Sequence, residues 1–214
     1  KMHEFTAWHN AVIGEKAVAA LNKNNFKASY FATRDEAVKQ IMEMIPADAT
    51  VGIGGSWTIK QLGIDNLVEE RGHTVYNHNK PGLSPETVLD YRRKQLSCDV
   101  FLTSTNALTS DGKLVNTDGV GNRVAAMMFG PKKVIVVVGI NKVADTLTEA
   151  EKKVKMNAAP INNKRFNKNN PCVKTGVCMD CSSPERICNI TTVIHKKPPL
   201  TDMYVVVIGE DLGF

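Results

Sequence analysis

The chain has 214 residues, 43% of them hydrophobic, and a net charge of +5 from 27 basic and 22 acidic side chains. This composition predicts a globular domain with a full core and excludes a disordered polyelectrolyte. No apolar run approaches the roughly 20 residues of a membrane span, and the first helix-like stretch carries Glu4 and Glu15, unlike a secretory leader.

A cytoplasmic location with reduced cysteines is the expectation. Lys1 ahead of Met2 reads as an added remnant. Trp8, Ala11, Val12, Val18 and Ala19 recur at helical spacing over residues 3–22, and Asn24-Asn25 ends that helix. FKASYFA (26–32) reads as a strand. Thr33 and Glu36 form a capping box that opens a helix running to Ile45, where Pro46 stops it. TVGI (50–53) is a short buried strand; Gly54-Gly55 follows, with a helix from Ser56. HTVYN (73–77) is a strand, and the next helix has Ser84 as its N-cap and Pro85 at its first position.

DVFLTST (99–105) is again a strand, and residues 107–116 predict a hairpin turning at Asp111-Gly112. A helix over 121–129, a buried strand over 133–139, a helix over 145–158 and a strand over 203–209 complete the series. The alternation predicts an α/β fold, a mainly parallel sheet flanked by helices, with residues 1–214 forming one domain. Between Ala159 and Thr191 periodicity disappears. A structureless stretch of that length inside a domain is either functional or disordered, and cysteines make this one functional.

Four of the five cysteines fall in that stretch, as Cys172-x5-Cys178-x2-Cys181-x6-Cys188. Soft thiolates within reach of one point suit either a zinc ion or an iron–sulfur cluster. A zinc ribbon pairs two C-x2-C knuckles across a longer arm, whereas here only Cys178 and Cys181 form such a pair. The compact spacing favours a [4Fe–4S] cluster over residues 160–192; structural zinc is the alternative, and unliganded thiols or disulfides are a third. Pro171, Gly176 and Pro184 supply turns, and Arg186 supplies donors toward cluster sulfides. Cys98 reads as a small buried side chain, and His195 as a solvated one.

From Lys164 to Lys197 seven basic residues stand against two acidic ones, so this segment carries the entire net charge. Phe166 is its one aromatic residue, which argues against a nucleic-acid surface built on base stacking. Compensation of metal-bound thiolates, or docking of an acidic partner, accounts for the charge more simply.

A second constellation is Val51-Gly-Ile-Gly-Gly-Ser-Trp-Thr58, between a strand and a helix, where free amides favour an anion. It is neither a Walker A loop nor G-x-G-x-x-G, and such a turn also serves simply to pack strand against helix. Ser104-Thr-Asn106, the Asn116–Arg123 stretch and Gly139-Ile-Asn141-Lys142 place small polar residues and a base at further strand ends, where ligands bind in open α/β sheets. Arg123 can clamp an acid bidentately; alternatively, it pairs locally with Asp118 to hold the helix entry. No nucleophile–base pair is evident, so the catalytic residues are unassigned, with Glu86 and Glu149 the remaining carboxylate candidates.

GIGGSWT (52–58), TSTNALTSDGKLVNTDGVGNRVAA (103–126), VIVVVGINKVADTLTEA (134–150) and the cysteine run together resemble the lactate-utilisation (LUD) domain family. The resemblance implies a fold similar to that of the sugar-phosphate isomerases and CoA transferases, with the cysteine segment as an insertion. It implies a link to oxidation of lactate or related 2-hydroxy acids alongside redox partner proteins. It also implies that Gly54, Gly55, Ser56, Thr58, Asn106, Asp118, Asn122, Arg123, Asn141 and Lys142 line a cleft for a small anionic ligand. The leading expectation is an iron–sulfur protein with an electron-transfer or accessory role. The competing one is a non-redox phosphosugar- or acyl-binding enzyme or sensor stapled by zinc. An adaptor docking an acidic partner is a third, and self-association into a homo-oligomer stays open.

Overall fold

The computed structural model describes residues 3–214; Lys1 and Met2, including the reading of Lys1 as an addition, lie outside the described residues. Helix α1 (Glu4–Lys23) leads into β1 (Lys27–Phe31), and α2 (Arg34–Glu43) follows. The Thr33–Glu36 capping box that opens α2 forms as the sequence predicts. Next come β2 (Val51–Ile53), α3 (Trp57–Gln61), α4 (Ile64–Glu70), β3 (Val75–Asn77), α5 (Pro85–Lys94) and β4 (Val100–Ser104). The hairpin β5 (Ala107–Thr109)–β6 (Leu114–Asp118) precedes α6 (Asn122–Met128), β7 (Lys133–Gly139) and the short β8 (Val143–Ala144). The chain ends with α7 (Leu147–Lys153), α8 (Ala159–Arg165), α9 (Cys172–Thr175), β9 (Ile190–Ile194) and β10 (Asp202–Ile208).

Six strands form a parallel sheet in the order β1-β10-β7-β4-β2-β3. Successive side chains of a strand point to opposite faces, and β7 shows the consequence. Ile135 and Val137 join the core formed with α2, α3 and α4, through Ile41, Ile59 and Ile64. Val134, Val136 and Val138 join the opposite core, where Ala17 and Leu21 of α1 and Met127 of α6 cover the sheet. Both faces are therefore dry, which explains the unbroken apolar run of β7.

A second, mixed sheet runs β8-β5-β6-β9. It projects from the carboxyl ends of β4 and β7, because the hairpin follows Ser104 and β8 follows Gly139. No helix among the described residues is long and apolar enough to cross a membrane.

Three expectations need correction. The helix after Ser56 is two short ones, since Gly63 adopts a left-handed φ of 67° between α3 and α4. The helix over 145–158 continues instead through a π-turn at Val154–Ala158 into α8. Pro160 has no amide to donate to Met156, and a regular α-helix would lose that bond and clash; the wider turn absorbs it. The segment 160–192 is likewise not a plain loop, since it holds most of α8, all of α9 and the start of β9. Strand β9 pairs antiparallel with β6, with Ile190 opposite Asp118 and Ile194 opposite Leu114.

Candidate functional site

The carboxyl ends of β2, β3, β4 and β7 converge on one cleft of about 570 Å³. Its lining includes Gly55 and Ser56 after β2, His78 and Asn79 after β3, Ser104–Asn106 after β4, and Lys142 after β7. Asp118, Asn122 and Arg123 contribute from β6 and α6, Arg92 from α5, and Arg165 from α8. The fourth wall is the cysteine segment itself, through Pro184–Cys188.

Of the ten residues expected to line a cleft, Gly55, Ser56, Asn106, Asp118, Asn122, Arg123 and Lys142 do so. Gly54, Thr58 and Asn141 stand behind it. A Cβ on Gly54 would lie 2.9 Å from Thr103 Oγ1, so this glycine lets the turn pack on β4. Asn141 instead fastens the last residues described, its Oδ1 accepting from Leu212 N at 3.0 Å. Thr58 serves Lys142, as described below.

Arg123 commits its guanidinium to the protein. Nε donates to Asp118 Oδ1 at 2.8 Å, Nη1 to Asn116 Oδ1 at 2.7 Å and Ser104 O at 3.0 Å, and Nη2 to Asn106 Oδ1 at 2.7 Å. The second oxygen of Asp118 accepts from the Val124 amide at 3.0 Å and so holds the entry of α6. The local pairing alternative describes this residue: Arg123 knits β4, β6 and α6 together and fixes the shape of the cleft.

Lys142 is 5% exposed. Its Nζ donates to Thr58 Oγ1 and Ser104 Oγ, each at 2.9 Å, and to Thr105 O at 3.3 Å. Burial, and after it the nearby Arg123 charge, pull its pKa down to about 7. His78 is likewise pushed down to about 4 by burial and by Arg92, so its ring is neutral at physiological pH. Arg165 reaches over the glycine turn, donating to Gly55 O at 3.2 Å and lying 5.7 Å from the Trp57 ring centre.

The cysteines of the basic segment are free thiols. Burial raises the Cys172 pKa, and proximity of Cys181 and Cys178 raises it further. Cys188 is raised chiefly by burial, with Cys178, Cys181 and Cys172 adding to it and Arg186 opposing. The four sulfurs thus lie within electrostatic reach of one another. Among the described residues, however, no three His, Cys, Asp or Glu side chains converge on a point that a single ion would fill.

Backbone contacts hold the segment against the cleft. Cys178 N donates to Lys155 O, in the π-turn, at 3.0 Å, and Asn189 N to Asp118 O at 2.9 Å. Arg186 straps the loop internally, from Nη1 to Cys181 O at 2.6 Å and from Nε to Cys188 O at 3.2 Å.

The LUD domain matches residues 14–208 of this sequence. The chain belongs to the LUD domain family. With that membership comes an association with lactate utilisation. A DUF162 family protein from Deinococcus radiodurans shares the fold, with a TM-score of 0.55 at 15% identity over 93% of this chain and 98% of that one. Ribose 5-phosphate isomerase from Plasmodium falciparum aligns with a TM-score of 0.32 at 19% identity over 52% of each chain, too little to carry an argument. No match is found among curated proteins.

Within this LUD domain the two carboxylate candidates have other places. Glu149 accepts from the amides of Asp145 and Thr146 and caps α7, while Glu86 sits exposed in the first turn of α5. Cys98 is buried, donates to Gln95 O at 3.2 Å and is pushed up to about 11 by burial, an inert thiol. His195 is exposed. Sequence reasoning missed Arg92 and Arg165, which lie on helices, and His78, which follows β3 but carries no glycine or polar motif of the kind read at the other strand ends. It also missed the contact between Ser104 and Lys142, which are remote in sequence; only the parallel order of β4 beside β7 brings them together.

Proposed function

We propose that this LUD domain is an iron–sulfur module of lactate or related 2-hydroxy-acid utilisation. In this reading Cys172, Cys178, Cys181 and Cys188 hold a [4Fe–4S] cluster beside a cleft that takes a small anion. The observation that carries the reading is Cys188, which lines the anion cleft and whose thiol pKa is raised by burial and, beyond it, by the nearby Cys178, Cys181 and Cys172. The donor set suits the group: four soft thiols on one loop with a single C-x2-C pair, a spacing closer to a cluster cradle than to the two paired knuckles of a zinc ribbon.

A bound cluster would supply one-electron chemistry. The chain's own part is positional and electrostatic. The Cys178 and Asn189 amides tether the loop to the π-turn and to β6, and Arg186 closes it from inside. Asp118 and Glu185, the acidic groups of the cleft lining, are paired with Arg123 and Lys168. Arg92 lines the cleft, and its buried Nε has no hydrogen-bond partner among the described residues. A buried donor of this kind wants an acceptor, and a carboxylate or phosphate satisfies it. The surplus charge around the thiols suits docking of an acidic redox partner, and free thiols suit a reducing cytoplasm.

The variant Cys178→Ser tests the reading. Iron content and visible absorption should be lost while an anion such as lactate or phosphate still raises the melting temperature. Loss of a single zinc, accompanied by melting of the loop, would replace the redox reading with a structural staple.

A further inference from the structure

We infer that Lys142 is a carbonyl-reactive amine, and that the cleft accepts a 2-oxo acid or similar acidic carbonyl compound by forming an imine at its Nζ. The inference rests on the reading of the cleft as an anion site and is independent of the cluster. Lys142 belongs to the cleft lining yet is almost wholly removed from solvent. Its Nζ is held by two hydroxyls and one carbonyl, and among the described residues no carboxylate pairs with it.

The charged group that acts on Lys142 is Arg123 of α6, which lowers its pKa. Asp118 of β6 is occupied by Arg123, and Lys153 of α7 donates to Asn141 O at 2.7 Å. Thr58, Ser104 and Thr105 are neutral. Desolvation beside a second cation is the environment that turns a lysine from an ammonium into a nucleophile at neutral pH, and here it brings the pKa to about 7. The exposed lysines run the other way, since Lys27, Lys94 and Lys132 are raised by hydrogen bonds to Asp202, Asp90 and Asp99.

The step is redox-neutral. The Nζ lone pair attacks the carbonyl carbon, a C–N bond forms, and the carbonyl oxygen takes up a proton to give a carbinolamine. The hydroxyls of Ser104 and Thr58 are placed to relay that proton, each 2.9 Å from Nζ. The carbinolamine then loses its hydroxyl as water, the nitrogen giving up a proton, and an imine remains. Addition of water reverses the sequence. The acid group of the ligand is left to the basic lining, where Arg92 Nε awaits an acceptor.

Trapping on the intact chain tests this. Pyruvate, and separately pyridoxal 5′-phosphate, would be incubated with the protein across a pH series and reduced with borohydride, and the adduct mapped by peptide mass spectrometry. The expected result is one reduced adduct per chain, at Lys142, with a yield that climbs as pH rises through 7. Lys142→Arg and Lys142→Met should both lose it while still melting cooperatively. Adducts confined to exposed lysines, at equal yield in Lys142→Arg, would overturn the inference. No adduct at Lys142 with either probe would overturn it too. In that case a melting temperature still raised by pyruvate would leave the anion cleft standing, and an unchanged one would remove both.

Discussion

Arg123 and Lys142 sit close together in the same cleft and do opposite work. Arg123 is paired through all its nitrogens, so its removal leaves the buried Asp118 carboxylate without its cation and Asn116 Oδ1 without its donor. Breaking a buried pair from one side costs about 3–5 kcal/mol, and Arg123→Ala should lose that much in denaturant unfolding. Arg123→Lys should recover little, because an ammonium cannot reproduce a planar fork. Lys142, in contrast, is a burden on the fold when charged. Its folded pKa, about 7, lies below the ordinary 10.5, so the unfolded chain binds more protons between those values. Stability therefore rises with pH across that window and is lowest, for this group, below pH 7. Lys142→Met should flatten that slope, measured as thermal stability against pH.

At the level of elements, the β5–β6 hairpin shows what sequence can and cannot reveal. Asp111-Gly112 announces the turn, and Gly112 indeed sits at φ 83°, where a side chain is strained. What the sequence does not announce is that this turn is pressed against the end of α1. A Cβ on Gly112 would lie 2.7 Å from the Ala20 carbonyl carbon, and Asn24 Nδ2 donates to Asp111 O at 2.8 Å. Gly112→Ala should cost at least about 1–2 kcal/mol from the backbone alone, read from melting temperature, with the clash adding to it. The capped helices and the apolar strands of the parallel sheet were legible for the same local reason: caps and periodicity are written in neighbouring residues. The π-turn was not, because Pro160 reads as a stop and the rescue comes from a change of helix register. Strand β9 had a signal in the β-branched run Ile190-Thr-Thr-Val-Ile194. Its burial does not alternate cleanly, since the strand lies at the edge of its sheet. Seven of the ten expected lining residues were legible because strand ends concentrate ligands. Arg92 and Arg165, brought in by helix packing, carried no such mark.

On the scale of the molecule, charge and thiols are gathered on one edge of an otherwise balanced α/β body. The segment Lys164–Lys197 holds the whole +5 excess, and its strand β9 bonds to β6, whose Asp118 fixes the Arg123 network. The thiol loop and the cleft are thus mechanically one unit, so a ligand in the cleft and a group on the thiols would sense each other. Association with an acidic redox partner through this edge should weaken steeply as salt shortens the Debye length from about 10 Å at 0.1 M; titration calorimetry at two salt concentrations reads it. What the four thiols hold is read from iron, acid-labile sulfide and zinc, assayed together on anaerobically purified protein. A [4Fe–4S] cluster on these thiols should give iron and sulfide in equal amounts near four per chain, with a brown colour that oxygen bleaches. A colourless protein carrying one zinc and no sulfide would contradict the cluster reading.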